Sequence, residues 1–547
     1  MGTLRRGMFA RTLLVTSVFI GLSASAKARA LENGLARTPP MGWNSWNLKV
    51  GPISAAEVRR ITDAIVSTGM RELGYQYVVI DDCWSEHERD AEGRLVPAQA
   101  LFPEGMKAVA DYVHKQGLKF GMYATPTTIT CCRHPGSYRH ERQDAQAFAA
   151  WGVDFLKYDW CGVQSGEQGK VNKVDLIQRY TTMRDELAAT RRSILFSLCE
   201  KGQETGDPPS DTAAWSVGIG NMWRNTRDIG ANWRSVMANF DKQLGALDRQ
   251  GPGGWNDPDM LQVGNPGLSD TENRTHFSLW AIIAAPLIAG NDPSNMSAAT
   301  KDTLTNAEVI AVDQDPLGKA GRRVAQVGMT EVWAKPLMDG SKAVLMLNRD
   351  PTPTTVTATW ADVGISGPAG VRDLWAHADQ GTFASQYAAP ADGHAVVVLR
   401  VYPPGVAWPG GAAPKPSEAG RALGVRASSG GDVAVTPGAT GMGNSGAQAG
   451  TPKAPRVNDG ASPSSGARPK SAGDGRCSMG AKAPEAASRF PWLALAALSL
   501  LMKRWRAVPS IGRCASLRSL QTPEAWRART GAQRCSLAIV TSRPPRT

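Results

Sequence analysis

The stretch "DFLKYDWCG" (154–162) decides how the chain is read. Phe155 and Leu156 open a short apolar run that ends within a few residues on Lys157, Asp159 and Cys161. A buried strand ends this way where something polar meets it. Seven other runs share the design: "MGWNSWN" (41–47), "YQYVVIDD" (75–82), "LKFGMYA" (118–124), "SILFSLCE" (193–200), "MWRNTRDI" (222–229), "GGWNDPDML" (253–261) and "APLIAG" (285–290). Amphipathic stretches lie between them, such as 54–73 and 103–117. In the second, Met106, Val109, Ala110 and Val113 share one helical face, and Gly117 is a stop signal. Eight strand-then-helix units predict an α/β fold, a (β/α)8 TIM barrel over 31–315. An open doubly wound sheet is the alternative, but no Gly-rich phosphate loop follows the first strand.

The polarity of the runs points to a site. Asp81, Asp82, Tyr123, Lys157, Asp159, Glu200, Arg224, Asp228 and Asp259 all fall at C-terminal ends, where such barrels gather their chemistry. In a strand, neighbouring side chains point to opposite faces. Asp81 and Asp82 therefore approach one ligand only from a strand end. Many carboxylates, a few cations and several tryptophans (Trp43, Trp46, Trp160, Trp223, Trp255) suit a sugar. Carboxylates accept from hydroxyls, and aromatic faces pack on the ring's C–H side. Glycoside cleavage calls for two carboxyl groups. A metal fits poorly because Lys157 and Arg224 would repel it, and no HExxH pattern occurs; no cofactor is expected. A serine hydrolase lacks its GxSxG. Taken singly, Trp43, Trp46 and Trp255 read more readily as core aromatics, and Lys157–Asp159 could be a structural ion pair. Their recurrence at successive strand ends favours a site.

The sequence has 547 residues and a net charge of +12. That charge belongs to the ends. Residues 401–547 carry 20 Lys/Arg against 6 Asp/Glu, and 31–400 come out near −7. The body has no basic stripe with interleaved aromatics, which argues against nucleic acid as a partner. Residues 1–30 read as a signal peptide, with Arg5, Arg6 and Arg11 before an apolar stretch (12–22) and "ARA" (28–30) as a cleavage site. The protein is thus expected to be secreted or held at the cell surface, where disulfides form. From about 316 the pattern turns to β-type runs around "DG" (339–340), an antiparallel β domain ending near 403. A Pro/Gly/Ala/Ser-rich linker (404–476) follows. Next come Cys477, an apolar stretch and a basic cluster (477–506), which resemble a bacterial C-terminal sorting tag and suggest membrane or cell-surface association. The basic tail 507–547 has no assigned role.

The motifs "TPPMGWNSWN", "YVVIDDCW", "GMYA", "PGSYRHERQDAQAFAAWGVDFLKYDWC", "FSLCE", "WRNTRDI", "GPGGWNDPDML" and "WAIIAAPLIAGNDP" resemble the melibiase family, glycoside hydrolase family 27, from about 36 to 403. The resemblance implies a barrel followed by a C-terminal β-sandwich. It implies an exo-acting α-galactosidase that retains configuration through a covalent glycosyl-enzyme. Asp159 matches the nucleophile and Asp228 the acid/base; Lys157 would favour an ionised Asp159, and the surroundings of Asp228 should raise its pKa. Asp81 and Asp82 match carboxylates on the 4- and 6-hydroxyls, Lys157 the contact to the 3- and 4-hydroxyls, and Arg224 that near the 2-position. Trp46, Tyr123 and Asp259 match pocket walls. Glu200 leaves little room for an acetamido group, which favours galactose and an α-galactoside oligo- or polysaccharide as substrate. β-L-Arabinopyranosides, α-N-acetylgalactosaminides and a catalytically silent galactose-binding protein are the alternatives. Cys131 and Cys161 match a disulfide, although Cys132 offers Cys161 a second partner. Cys83 and Cys199 match half-cystines whose partners are absent here. Lys201 stands where many relatives carry Trp. Oligomeric state is left open.

Overall fold

A computed structural model describes residues 31–167, 169–201 and 211–408. The signal peptide, linker, sorting segment and basic tail expected from the sequence lie outside these. Among the described residues no helix is long and apolar enough to cross a membrane.

Eight parallel strands form the first layer. They are β1 (Met41–Asn44), β2 (Tyr77–Val79), β3 (Lys119–Ala124), β4 (Phe155–Asp159), β5 (Leu195–Cys199), β6 (Met222–Arg224), β7 (Trp255–Asp257) and β8 (Leu287–Ala289). Each lies inside one of the apolar runs of the sequence. The order is β7-β6-β5-β4-β3-β2-β1-β8. A parallel bridge from Leu261, just past β7, to Ala289 on β8 brings the two ends together, with Leu261 N donating to Ile288 O at 2.8 Å. The curled sheet is a TIM barrel.

Helices clothe the strands for the reasons the sequence gives. Helix Ala55–Ser67 opens on a capping box between Ser54 and Glu57 and buries Val58, Ile61 and Ile65. Helix Gly105–Lys115 buries Met106, Val109, Ala110 and Val113, the predicted face, and Gly117 follows with φ +74°. These apolar stripes pack with the outward faces of the strands into one continuous core.

The second layer is antiparallel. Strands β9 (Arg322–Val327), β10 (Thr330–Pro336), β11 (Lys342–Asn348), β12 (Thr354–Thr359), β13 (Ala369–Asp373), β14 (Ala378–Phe383), β15 (Gln386–Ala391) and β16 (Val396–Tyr402) make a six-stranded sheet, β14-β13-β16-β11-β10-β9, and a two-stranded sheet, β12-β15. The "DG" at 339–340 turns β10 into β11. Val344, Met346, Leu399 and Val401 pack with Val356, Ala358, Ala389 and Ala391 in a core of their own, a β-sandwich. Arg372 donates to both oxygens of Glu308, and the buried Lys335 ammonium caps the carbonyls of Ala281 and Val312. These bonds tie the sandwich to the barrel helices.

Candidate active site

Parallel register builds the site. Asp159 pairs with Cys199, Cys199 with Arg224, and Arg224 with Asp257, so one level of β4–β7 presents a carboxylate, a thiol, a guanidinium and a second carboxylate. One step below, Tyr123 pairs with Lys157. A cavity inside the barrel is lined toward this end by Asn44, Lys157, Cys199, Arg224, Asp257 and Asp259, and deeper by apolar residues such as Phe155 and Met222.

Asp159 is almost wholly buried. Its Oδ2 accepts from the Tyr123 hydroxyl at 3.2 Å. Its Oδ1 accepts no hydrogen bond among the described residues. The Lys157 ammonium, expected beside Asp159, instead donates to Asp81 Oδ2 at 2.8 Å and lies 5.3 Å over the Tyr123 ring. Burial pulls the Lys157 pKa down, but Asp81, and with it Asp159, outweighs burial and raises it. Asn44 donates to the same Asp81 oxygen at 2.8 Å. Asn44 was absent from the candidates read from sequence, although it ends β1 and the strand-end rule would have found it.

Asp82 is held by backbone. Its oxygens accept from Cys83 N at 2.7 Å and Cys132 N at 2.8 Å. Burial, only partly offset by these bonds, pushes its carboxyl up to about 6. Arg224 is buried and donates to Asp259 at 2.7 Å and to Asp228 at 2.6 Å. Asp259 also accepts from Ile229 N at 2.7 Å, which fixes the turn carrying Asp228. Asp228 itself is 66% exposed, the only strongly exposed carboxylate of the group.

One expectation fails here. Asp228 was expected in surroundings that raise its pKa. Burial does act in that direction, but Arg224 and then Lys201 outweigh it and hold the carboxyl well below its ordinary value. The Lys201 ammonium stands 3.5 Å from Asp228 and 3.6 Å from Asp159. The two carboxylates therefore share one cation. The sequence showed a lysine at this position but not where its amine reaches.

Glu200 is fully buried and accepts from the Thr212 hydroxyl. Trp46 is half-buried and opens the short helix Trp46–Lys49 that follows β1. The other tryptophans prove to be core. Trp43, Trp223 and Trp255 are buried and donate to Asn291 O, Asn256 Oδ1 and Ala36 O. Trp160 is also buried, packed against Gly162 and 5.8 Å from the Arg179 guanidinium. A β-carbon on Gly162 would lie 2.7 Å from that indole, so the loop after β4 closes over Trp160 only with glycine there.

The cysteines among the described residues settle into two bridges. Cys131 bonds Cys161, and Cys132 bonds Cys83, which supplies the partner the sequence lacked. Cys199 is free and buried. Adjacent cysteines thus tie one loop to the ends of both β2 and β4. Replacing Cys83 and Cys132 together by Ser opens a crosslink spanning 49 residues. The expected cost is about 2–4 kcal/mol in urea unfolding. Because Cys132 N holds Asp82, a rise in KM larger than the fall in kcat is also expected; unchanged stability and KM would refute this.

Several carboxylates gathered at the strand ends of a barrel that is followed by a β-sandwich are what a glycoside-cleaving enzyme requires. The family model described as alpha galactosidase A matches residues 38–315, and that for the alpha galactosidase C-terminal beta sandwich domain matches 327–401. The α-galactosidase of Oryza sativa is 48% identical over 367 residues, covering 66% of this chain and 84% of that protein. That of Cyamopsis tetragonoloba is 47% identical over 367 residues, covering 66% and 86%. The crystal structure of α-galactosidase I from Mortierella vinacea superposes with a TM-score of 0.64 at 35% identity, covering 68% of this chain and 98% of that one. The chain belongs to glycoside hydrolase family 27, the melibiase family.

Proposed function

We propose that the protein is a retaining, exo-acting α-galactosidase that hydrolyses terminal α-linked galactose by two displacements. The observation that carries this reading is the placement of Asp159 and Asp228 on one ammonium. The shared ammonium gathers the two carboxyl groups that glycoside cleavage calls for in one place, and the retaining course, in which one attacks and the other handles the proton, is inferred from membership of family 27. Similarity to the rice and guar α-galactosidases supports the substrate class.

The residues divide the work as follows. Tyr123 fixes Asp159 through Oδ2, which leaves Oδ1 to attack the anomeric carbon. Asp228, exposed toward the leaving group, gives its proton to the glycosidic oxygen. A water then attacks the glycosyl-enzyme, with Asp228 taking its proton and Asp159 leaving. Asp81, Asp82 and Lys157 bind hydroxyls at the closed end, and Arg224 and Asp259 position Asp228. Exo-action on a terminal sugar is inferred from membership of family 27.

The test is a panel of p-nitrophenyl α-galactoside, β-L-arabinopyranoside and α-N-acetylgalactosaminide on one preparation. The α-galactoside is expected to lead in kcat/KM by at least about tenfold. A site built to hydrogen-bond a hydroxyl loses much when it is missing, and the pentoside lacks C6 and its hydroxyl. A pentoside or acetamido preference would overturn the substrate assignment. Proton NMR of early product should show α-galactose first. Galactose binding without turnover would leave only a lectin-like role. We also infer an exported protein, secreted or surface-held; two disulfides among the described residues support an oxidising compartment.

A further inference from the structure

Lys201 is the one cation of the site that the proposed mechanism leaves without a task. It follows Glu200 at the end of β5, with a backbone φ of +68°, a conformation that costs a non-glycine residue energy. Its side chain is only 12% exposed. An ammonium so withdrawn from water needs compensating anions. It has two, Asp159 Oδ1 at 3.6 Å and Asp228 Oδ2 at 3.5 Å.

We propose that Lys201 is a positioning residue, a resident counter-cation of the two catalytic carboxylates that the incoming sugar must displace. This rests on the α-galactosidase reading above. A sugar with its anomeric carbon at Asp159 and its leaving oxygen at Asp228 needs the space between those carboxylates. The Lys201 ammonium stands within 3.6 Å of both. Displacement removes one of the cations that keep Asp228 ionised and leaves Arg224 as its hydrogen-bonded partner, which eases the protonation that the first step requires.

The groups facing the ammonium are Asp159 from β4, Cys199 from β5, Arg224 from β6 and Asp228 from the loop after β6. Lys157 and Tyr123 lie behind Asp159. The carboxylates outweigh burial and hold Lys201 protonated, so it stays a cation wherever the enzyme works. One consequence concerns ligands. A neutral sugar that displaces Lys201 leaves the carboxylates to Arg224 and Lys157, whereas a cationic sugar mimic competes with a charge already in place.

The experiment compares wild type, Lys201→Met and Lys201→Arg. Binding of galactose and of a galacto-configured iminosugar cation is measured by calorimetry, and kcat/KM is followed against pH with p-nitrophenyl α-galactoside. In Lys201→Met both ligands should bind tighter, because neither has a cation to displace, and the iminosugar should gain about tenfold more than galactose, the equivalent of about one pKa unit of interaction, because it alone also loses a neighbouring like charge. The basic limb of kcat/KM, which reports the acid in the free enzyme, should move up by about one pH unit. Lys201→Arg should keep both properties of the wild type. Equal changes in the two affinities, or an unmoved basic limb in Lys201→Met, overturn the proposal and leave a packing role. If wild type binds neither ligand, the α-galactosidase reading itself falls, and this one with it.

Discussion

Asp159→Ala is expected to lower kcat on p-nitrophenyl α-galactoside by roughly 10⁴- to 10⁶-fold, with the fold intact. Removing a nucleophile forces a single displacement by water, which nothing in the pocket is placed to activate from that face. Galactose binding should persist, because Asp81, Asp82 and Lys157 are held by Asn44, by backbone N–H groups and by each other rather than by Asp159. Azide separates this outcome from general damage. It fits the space left by the carboxylate and attacks the anomeric carbon from that face as p-nitrophenolate departs with the bonding electrons. The product is β-galactosyl azide, inverted at C1. Recovery of activity with azide and identification of that anomer by NMR would establish Asp159 as the nucleophile. A variant that keeps more than a few per cent of wild-type kcat would remove Asp159 from that role.

How much of this the chain reveals unaided depends on the distance over which each feature is decided. The eight strands were legible because each is a local event: an apolar run, a polar end, then a helix with its own cap, as with Ser54 and Glu57. Strand ends gather on one face in any parallel barrel, so Asp81, Lys157, Asp159 and Arg224 follow from the same pattern. Features decided by partners distant in sequence were not legible. The indole of Trp255 looked fit for a sugar, yet it is anchored to Ala36 O in the core. Cys132 could have bonded Cys161 as readily as Cys131 on paper; the loop's path chooses Cys83. Lys157 sits two residues from Asp159 in sequence, but its flexible stem reaches across to Asp81, just past β2. The protonation of Asp228 was misjudged for the same reason. Its sequence neighbours disclose Arg224, but the second cation comes from the end of a different strand.

Asp228→Ala should behave differently from the nucleophile variant, and the difference is the stronger evidence for two-step chemistry. p-Nitrophenolate leaves without a proton, so formation of the glycosyl-enzyme, and with it kcat/KM on p-nitrophenyl α-galactoside, should change by less than about tenfold. Sugar leaving groups need the proton, so kcat/KM on melibiose should fall by about 10²- to 10⁴-fold, the usual contribution of a positioned acid. Deglycosylation also slows, since no base activates water. kcat on the nitrophenyl substrate should therefore drop together with KM, with a burst of p-nitrophenol matching the enzyme concentration. Azide needs no base and should raise kcat in this variant, giving α-galactosyl azide, retained at C1. The two variants then yield opposite anomers from one nucleophile, an outcome only a covalent intermediate on Asp159 explains. Removal of Asp228 also deletes one anion beside Lys201 and frees Arg224, which keeps Asp259 as its partner. The exposed position of Asp228 makes the structural cost small, so unfolding in urea should stay within about 1 kcal/mol of wild type. Equal losses on both substrates, or no burst, would place the acid/base elsewhere.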